Sequence, residues 1–356
     1  MEKTSKIYVA GHRGLVGSAI FKKLTDLDYT NVIGRTSSEL DLLDGGATSK
    51  FFAEERPEYV FLAAAYVGGI MANNTYRADF IYKNLQIQQN VIVSAFETKV
   101  KKLLFLGSTC IYPKEAQQPI SETELLTNTL EYTNEPYAIA KIAGLKMCES
   151  FNIQYGTNFI SVMPTNLYGP NDNFDLERSH VLPAMIRKIH LSKQLMDRNW
   201  GEVRKDLKAR PVQDLNGSET ESEIIEMLAR YGIFEDRVEL WGSGTPMREF
   251  LWSEEMADAC LFVMNNVDFK DLYSGKEIRN THINIGTGRD ITIRGLSKLI
   301  ADRIHYQGKI LFDSSKPDGT FRKLVDVSKL NALGWKHEIE IEEGVNRMYD
   351  WYVKNL

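Results

Sequence analysis

The chain reads as an α/β protein, a doubly wound parallel sheet followed by a smaller C-terminal α/β domain. Three observations predict it. Short β-branched runs alternate with longer helical periodicities through the first half, the pattern of parallel strands joined by crossover helices. A glycine run, Gly11-His12-Arg13-Gly14-Leu15-Val16-Gly17, stands where the first strand should turn into the first helix. The mix of 43% hydrophobic and 26% charged residues over 356 positions is that of a folded chain with a sizeable core.

The elements follow in order. Ile7-Tyr8-Val9-Ala10 is a buried-strand run that stops at Gly11. The helix behind it carries Ile20, Leu24 and Leu27 on one face. Asn31 to Gly34 gives a second strand, and Asp44 is placed to cap a helix bearing Phe51 and Phe52. Tyr59 to Leu62 gives a third strand, and a long helix is expected from about Ala78 to Glu97. Lys102 to Leu106 is the fourth strand, ending at Gly107-Ser108. A helix from about Tyr137 to Tyr155 and a strand from Phe159 to Met163 complete the half. Beyond it, Ser218-Glu219-Thr220-Glu221 fits a capping box with Ser218 at N-cap, ahead of a stripe of Ile224, Met227/Leu228 and Tyr231. The expected division is 1–173 with return segments at 239–260 and 281–286, against 174–238 and 287–356.

Charge and cysteine content exclude several functions. Lys plus Arg is 43 and Asp plus Glu is 48, a net charge of −5, which argues against a nucleic-acid or anionic-membrane binder. Cys110, Cys148 and Cys260 are an odd number without paired spacing, so neither a disulfide framework nor a CxxC metal site is expected. Met1 to Lys6 runs straight into strand pattern, which predicts no signal peptide, and the apolar run Tyr59 to Ile70 is too short to span a bilayer. A soluble cytoplasmic protein is expected.

The glycine run is where chemistry enters. At that turn, glycines let the backbone approach a pyrophosphate held against a helix N-terminus, which makes the first domain a Rossmann-type dinucleotide binder. An NAD enzyme usually ends its second strand on a carboxylate, yet this strand ends Gly34-Arg35-Thr36, with none before Glu39. Arg35 and Arg13 together suit the extra 2′-phosphate of NADP. Tyr137-Ala138-Ile139-Ala140-Lys141 sets a phenol and an ammonium on one helix face. A neighbouring ammonium favours tyrosinate and so pulls the phenol pKa down, tuning Tyr137 to move a proton at a carbinol oxygen. Ser108 is placed to hydrogen-bond the same oxygen.

A glycine-rich first turn, a Ser after the fourth strand and a YxxxK helix are together the signature that this chain resembles: the extended short-chain dehydrogenase/reductase family. The likeness runs through Ala10–Ile20, Leu62–Asp79, Leu103–Pro113, Asn134–Gly144, Val162–Asn173, Trp241–Leu251 and Ser315–Lys323. It is strongest to the family's epimerase/reductases of GDP-linked 4-keto sugars. The resemblance implies NADP(H) as cofactor, a GDP-sugar substrate and a homodimer. It also implies epimerisation at C3 and C5 followed by reduction at C4. Another C4 epimerase or a 4,6-dehydratase is the alternative; the dehydratases place acidic residues after the active-site Ser/Thr, where this chain has Cys110 and Ile111. An NADP-sensing regulator without catalysis is weighed against the intact Ser108, Tyr137 and Lys141.

Carried over residue by residue, the resemblance implies that Cys110 and His180 serve as base and acid of the epimerisation. It implies cofactor contacts from Gly11, Arg13, Gly14, Leu15, Val16 and Gly17 in the first turn, and from Arg35. Further contacts are implied from Leu106, Gly107 and Lys141, from Pro164, Thr165, Asn166 and Leu167 after the fifth strand, and from His180. For the GDP moiety it implies Lys188, Trp241, Arg248 and Asp318. Cys148, Cys260, His12, His190, His282, His305 and His337 are expected to be structural. Two departures stand out: Ser37 replaces an arginine that some members carry, and the segment 191–237 replaces a much shorter connection. That segment is expected to be a neutral insertion rather than a lid or an oligomer contact.

Overall fold

The computed structural model describes residues 1–316 and 318–356, leaving Pro317 outside the described residues. The chain divides into two compact units. The first comprises Met1–Leu167, Glu249–Arg289 and Leu324–Glu338; the second comprises Tyr168–Arg248, Asp290–Lys323 and Ile339–Leu356.

The first unit is built on a parallel sheet. Its strands lie in the order Val32–Ile33, Ile7–Ala10, Tyr59–Leu62, Lys102–Leu106, Phe159–Pro164 and Ile283–Ile285. Ile7 pairs with both Val32 and Tyr59, so the chain reverses its direction of travel across the sheet at the first strand. That switch point opens a crevice at the carboxyl ends of the strands, where ligands of such sheets bind. Both faces of the sheet are buried, as parallel strands require. On one, Ile7, Val9, Phe61 and Leu104 pack with Ile20 and Leu24 of the helix Leu15–Asp26; on the other, Tyr8, Val60 and Phe105 meet Phe51, Phe52, Val91 and Leu145. Asp44 caps the helix Gly45–Glu55 as expected, accepting from the Ala47 N–H at 2.9 Å. Leu27, expected on the buried face of the first helix, is the C-cap and is exposed.

The domain boundaries differ from expectation. Residues 324–338, assigned by pattern to the substrate domain, belong to the first unit. The Val325 N–H donates to the buried Glu249 carboxylate at 3.0 Å, and Leu330 and Trp335 join the core beneath Ile283 and Ile285. The first unit also begins its return at Glu249 rather than at 239, leaving the strand Arg237–Trp241 in the second unit.

In the second unit Arg237–Trp241 pairs in parallel with Lys309–Asp313, and Arg322–Lys323 pairs with Met247 and Arg248. The helix Val181–Met196 packs against that first pair of strands and the helix Ile293–Ile304. The segment 191–237 folds into two further helices, Trp200–Ala209 and Glu221–Arg230, with an apolar cluster of Leu191, Leu195, Val203, Leu207, Ile224 and Leu228. The capping box exists but stands two residues later than expected: Thr220 is the N-cap and Glu223 the N3 residue. Glu219 instead folds back to accept from the Asn216 and Gly217 N–H groups at 3.2 and 2.9 Å. No helix among the described residues is long and apolar enough to cross a membrane.

Candidate active site

The glycine turn is shaped for close approach. Gly11 has φ +83, and a Cβ there would meet the Ala64 nitrogen at 2.8 Å; a Cβ on Gly17 would meet the Gly11 carbonyl oxygen at 2.1 Å. Gly14 is the N-cap of the helix Leu15–Asp26 and brings no side-chain acceptor, so the helix N-terminus is left without a side-chain cap. A cradle free of side chains at a helix N-terminus fits a pyrophosphate. His12 packs at this turn: its ring lies over Gly34, where a Cβ would meet it at 2.4 Å, and it contacts Phe21. It thereby ties the glycine turn to the end of the second strand.

Arg35 and Arg13 meet at one corner. Glu39 is held below the usual carboxylate range first by the Thr36 backbone N–H and hydroxyl, and further by the charges of Arg35 and Arg13. Arg35 is already anchored, donating to the Gly34 carbonyl at 2.9 Å and to Glu55 at 2.8 Å, with its guanidinium over the Phe51 ring. Arg13 is exposed and Ser37 contributes no charge. Two cations at the end of the second strand fit a 2′-phosphate.

Ser108, Cys110, Tyr137 and Lys141 come together at the tip of the fourth strand. Ser108 leaves the strand extended, and its Oγ accepts from the Cys110 N–H at 3.3 Å, which keeps the hydroxyl proton for another acceptor. Cys110 lies in the single 3₁₀ turn Thr109–Ile111 and is buried. Lys141, also buried, donates to the Leu106 carbonyl at 2.8 Å and sits 5.7 Å from the centre of the Tyr137 ring. The Tyr137 ring is fixed edge-on against Phe80 at 6.2 Å. Leu106 and Gly107 line the same tip; Gly107 accommodates Met163, which a Cβ would meet at 2.3 Å.

The pKa pattern corrects one expectation. Burial pushes the Tyr137 phenol up rather than down, and the nearby Cys110 thiol adds to the rise. Burial also lowers the Lys141 amine to about 8, opposed by Cys110. Lys141 spends its contact on a backbone carbonyl, so desolvation outweighs its pull on the phenol. Tyr137 therefore keeps its proton at neutral pH and is set to give one. Lys141 is an ammonium below about pH 8 and loses its charge above it. NADPH oxidation is expected to fall on the alkaline side through that value, and Lys141→Arg, which stays charged, to move the limb upward; an unmoved limb would assign it to another group.

The Pro164–Leu167 stretch closes the fifth strand. Thr165 Oγ1 and Asn166 Nδ2 both donate to the Glu249 carbonyl, at 3.3 and 2.8 Å. Glu249 was missed by sequence reasoning: its carboxylate is buried and collects the N–H groups of Thr287, Gly288 and Val325 at 2.6, 2.7 and 3.0 Å. No local pattern signals such long-range pairing.

The second unit holds the remaining candidates. His180 is the N-cap of the helix Val181–Met196, its side chain making no cap hydrogen bond. Its ring reaches the surface, and desolvation by the surrounding protein lowers its pKa. Arg248 and Asp318 are electrostatically paired, and burial of Arg248 is the larger effect on it. The Asp318 carboxylate accepts from Ser243 N–H and Oγ at 2.9 and 2.7 Å, over Gly242 at φ +81. Trp241 is exposed with Lys316 over its ring at 5.7 Å. Lys188 is lowered to about 8 by burial, opposed by Glu239 on the strand that carries Trp241. Asp172 is raised to about 7 by burial, with Oδ2 buried and without a hydrogen bond. Cys148 and Cys260 are buried thiols pushed up by desolvation, the structural residues expected. His190 and His282 are likewise buried, bonded to Tyr349 and Tyr112.

A glycine turn at the sheet's switch point and a Ser/Tyr/Lys cluster at its fourth strand define a dinucleotide-dependent enzyme of the short-chain dehydrogenase/reductase type. The NAD dependent epimerase/dehydratase family model matches residues 7–209 and 213–286, and the chain belongs to that family. GDP-L-fucose synthase 1 of Arabidopsis thaliana is 50% identical over 100% of this chain and 95% of its own length. GDP-L-fucose synthase of Escherichia coli K12 is 49% identical over 98% of this chain and 97% of its own length. The structure of a GDP-D-glycero-L-gluco-heptose synthase from Campylobacter jejuni in the presence of NADPH is 45% identical, covers 99% of each chain and superposes with a TM-score of 0.92.

Proposed function

We propose that this chain converts GDP-4-keto-6-deoxy-D-mannose to GDP-L-fucose, epimerising C3 and C5 and reducing C4 with NADPH. The observation that carries the reading is the cluster at the fourth strand, where a buried thiol lies within electrostatic reach of both a half-buried phenol and a buried amine. A reductase needs only the phenol and the amine. A thiol at the same tip adds a base, and that is what epimerisation beside a ketone demands.

The chain's own residues divide the work. Ser108 and Tyr137 hold the C4 oxygen with hydroxyl donors while a neighbouring C–H is deprotonated. Cys110, as its thiolate, takes that proton, and His180, protonated from solvent, returns one to the opposite face of the carbon. The neutral His180 then takes up a proton from solvent, and the Cys110 thiol releases its own, before the next transfer. Hydride delivery to C4 is the chemistry that NADPH supplies when bound. Tyr137 then protonates the C4 oxygen, and Lys141 provides the positive charge beside it. The cofactor is held by Gly11, Gly14 and Gly17 at the pyrophosphate and by Arg13 and Arg35 at the 2′-phosphate. Arg248, Lys188, Asp318 and Trp241 hold the GDP moiety, the cations at phosphate and the indole as a stacking face.

A homodimer belongs to the same reading. The paired helices Arg77–Glu97 and Glu135–Tyr155 leave Tyr82, Ile139, Ile153 and Tyr155 exposed, an apolar surface that a second copy would cover. Three buried thiols suit a reducing cytoplasm.

The test is an incubation in D₂O with NADPH. GDP-L-fucose labelled at C3 and C5 is expected, and Cys110→Ser should slow labelling before it slows NADPH oxidation. Unlabelled product would remove the epimerase half. The C. jejuni likeness favours a second reading, a GDP-heptose substrate, and a parallel incubation with the GDP-linked 4-keto heptose decides it by relative kcat/KM.

A further inference from the structure

The segment 191–237 does more than lengthen the chain. We infer that it is a brace that fixes the loop 174–180, and with it the direction of the His180 ring. The inference rests on the acid role proposed for His180, and every contact it uses lies within the second unit.

The loop offers little of its own to hold it. Asp175 turns it, accepting from the Glu177 and Arg178 N–H groups at 2.9 Å each, and the Ser179 N–H donates to the Asp175 carbonyl at 2.9 Å. His180 then starts the helix Val181–Met196 without a side-chain cap. Phe174 packs on Trp351 and Tyr352 of the helix Ile341–Lys354, and the inserted segment adds to that hold at three points.

The first is charged and buried. Arg187, fully buried, donates through Nη1 to the Phe174 carbonyl at 3.1 Å. Its Nε and Nη2 both bond Oδ1 of the equally buried Asp206, at 2.9 and 2.8 Å, and Nη2 also reaches the Arg210 carbonyl. Asp206 and Arg210 belong to the inserted segment. Without Asp206 the guanidinium has no counter-charge, so the hold on Phe174 depends on the insertion. The second point is apolar: Leu176 packs on the cluster formed by Val203, Leu207, Ile224 and Leu228. The third is polar and near the surface. The Glu177 carboxylate accepts from Tyr231 Oη at 2.6 Å and from Gln213 Nε2 at 3.0 Å, and Gln213 also donates to Tyr231 Oη at 3.0 Å. Three handholds, at 174, 176 and 177, thus precede His180 by a few residues.

Tyr231→Phe, which keeps the half-buried ring on the apolar cluster, and Gln213→Ala at an exposed site test this without removing packed apolar surface. Hydrogen exchange of the full chain, followed by mass spectrometry, is expected to show amides of 174–180 exchanging about tenfold faster or more, the effect of one lost hydrogen bond to a charge, with the first unit unchanged. Solvent deuterium incorporation at C3 and C5 should fall about threefold or more, while the Kd for NADPH stays put. Loop exchange unchanged in both variants would overturn the brace, whatever the substrate. A loosened loop with full C3/C5 labelling would overturn the link to His180. Should the unaltered enzyme show no labelling at all, the proposed function fails instead, and faster loop exchange still supports the brace.

Discussion

Tyr137→Phe is expected to lower NADPH oxidation by about 10²- to 10⁴-fold, the range of a positioned general acid. The ring keeps its place, because its packing is the edge-on contact with Phe80 and does not involve the hydroxyl. Only the proton that should reach the C4 oxygen is lost. Ser108 still donates to that oxygen, and Cys110 still takes a proton from the neighbouring carbon, so isotope exchange at C3 and C5 should survive in part. Steady-state NADPH oxidation and mass spectrometry of the recovered GDP-sugar read the two steps separately. Equal loss of both would mean that Tyr137 serves the enolate as much as the alcohol, and that the division of labour is wrong. The raised phenol pKa sharpens the expectation: at neutral pH the group is a protonated donor, so its removal takes away an acid and not a base.

Asp206→Ala is expected to be the most destabilising single change on the surface-remote side of the second unit. Arg187 and Asp206 are both fully buried, and Asp206 also accepts from the Tyr352 hydroxyl. Truncation leaves a buried guanidinium without its counter-charge and a buried phenol without its acceptor, and breaking such a pair costs about 3–5 kcal/mol. The loss should appear as a lower denaturant midpoint, with proteolysis rising first within 174–237. Replacing the group together, as Arg187→Met, Asp206→Leu and Tyr352→Phe, should recover most of the midpoint, because apolar substitutes escape the desolvation cost. The restored fold would nonetheless lack the bond from Arg187 to the Phe174 carbonyl. Activity in the triple variant should therefore lag behind its stability; a full return of C3/C5 labelling would contradict the role of that bond.

What the sequence made legible was local. Ile7–Ala10, the Asp44 cap and the YxxxK helix are short patterns whose neighbours in the fold are neighbours in the chain. The thiol falls at the strand tip because it follows the fourth strand closely, whereas the phenol is placed by the YxxxK pattern of a later helix. The capping box shows where local reading slips. Ser218…Glu221 and Thr220…Glu223 are both S/T-x-x-E, and the fold takes the second while Glu219 turns back onto the Asn216 and Gly217 N–H groups. Two overlapping copies of one pattern leave the start of the helix open by two residues. The Tyr137 shift failed differently: the spacing placed Lys141 correctly, but spacing carries no measure of desolvation. Glu249 with Thr287, Gly288 and Val325, and Arg187 with Asp206, join residues far apart in sequence, and no periodicity announces them.

A crystal structure of the chain with NADP⁺ and the GDP-sugar tests the central claim most directly. It should place the Cys110 sulfur and a His180 ring nitrogen on opposite faces of the sugar ring, each about 3.5 Å from a carbon beside C4, with the Tyr137 hydroxyl on the C4 oxygen. A sugar whose C3 and C5 meet neither the thiol nor the imidazole would contradict the account and leave a simple C4 reductase.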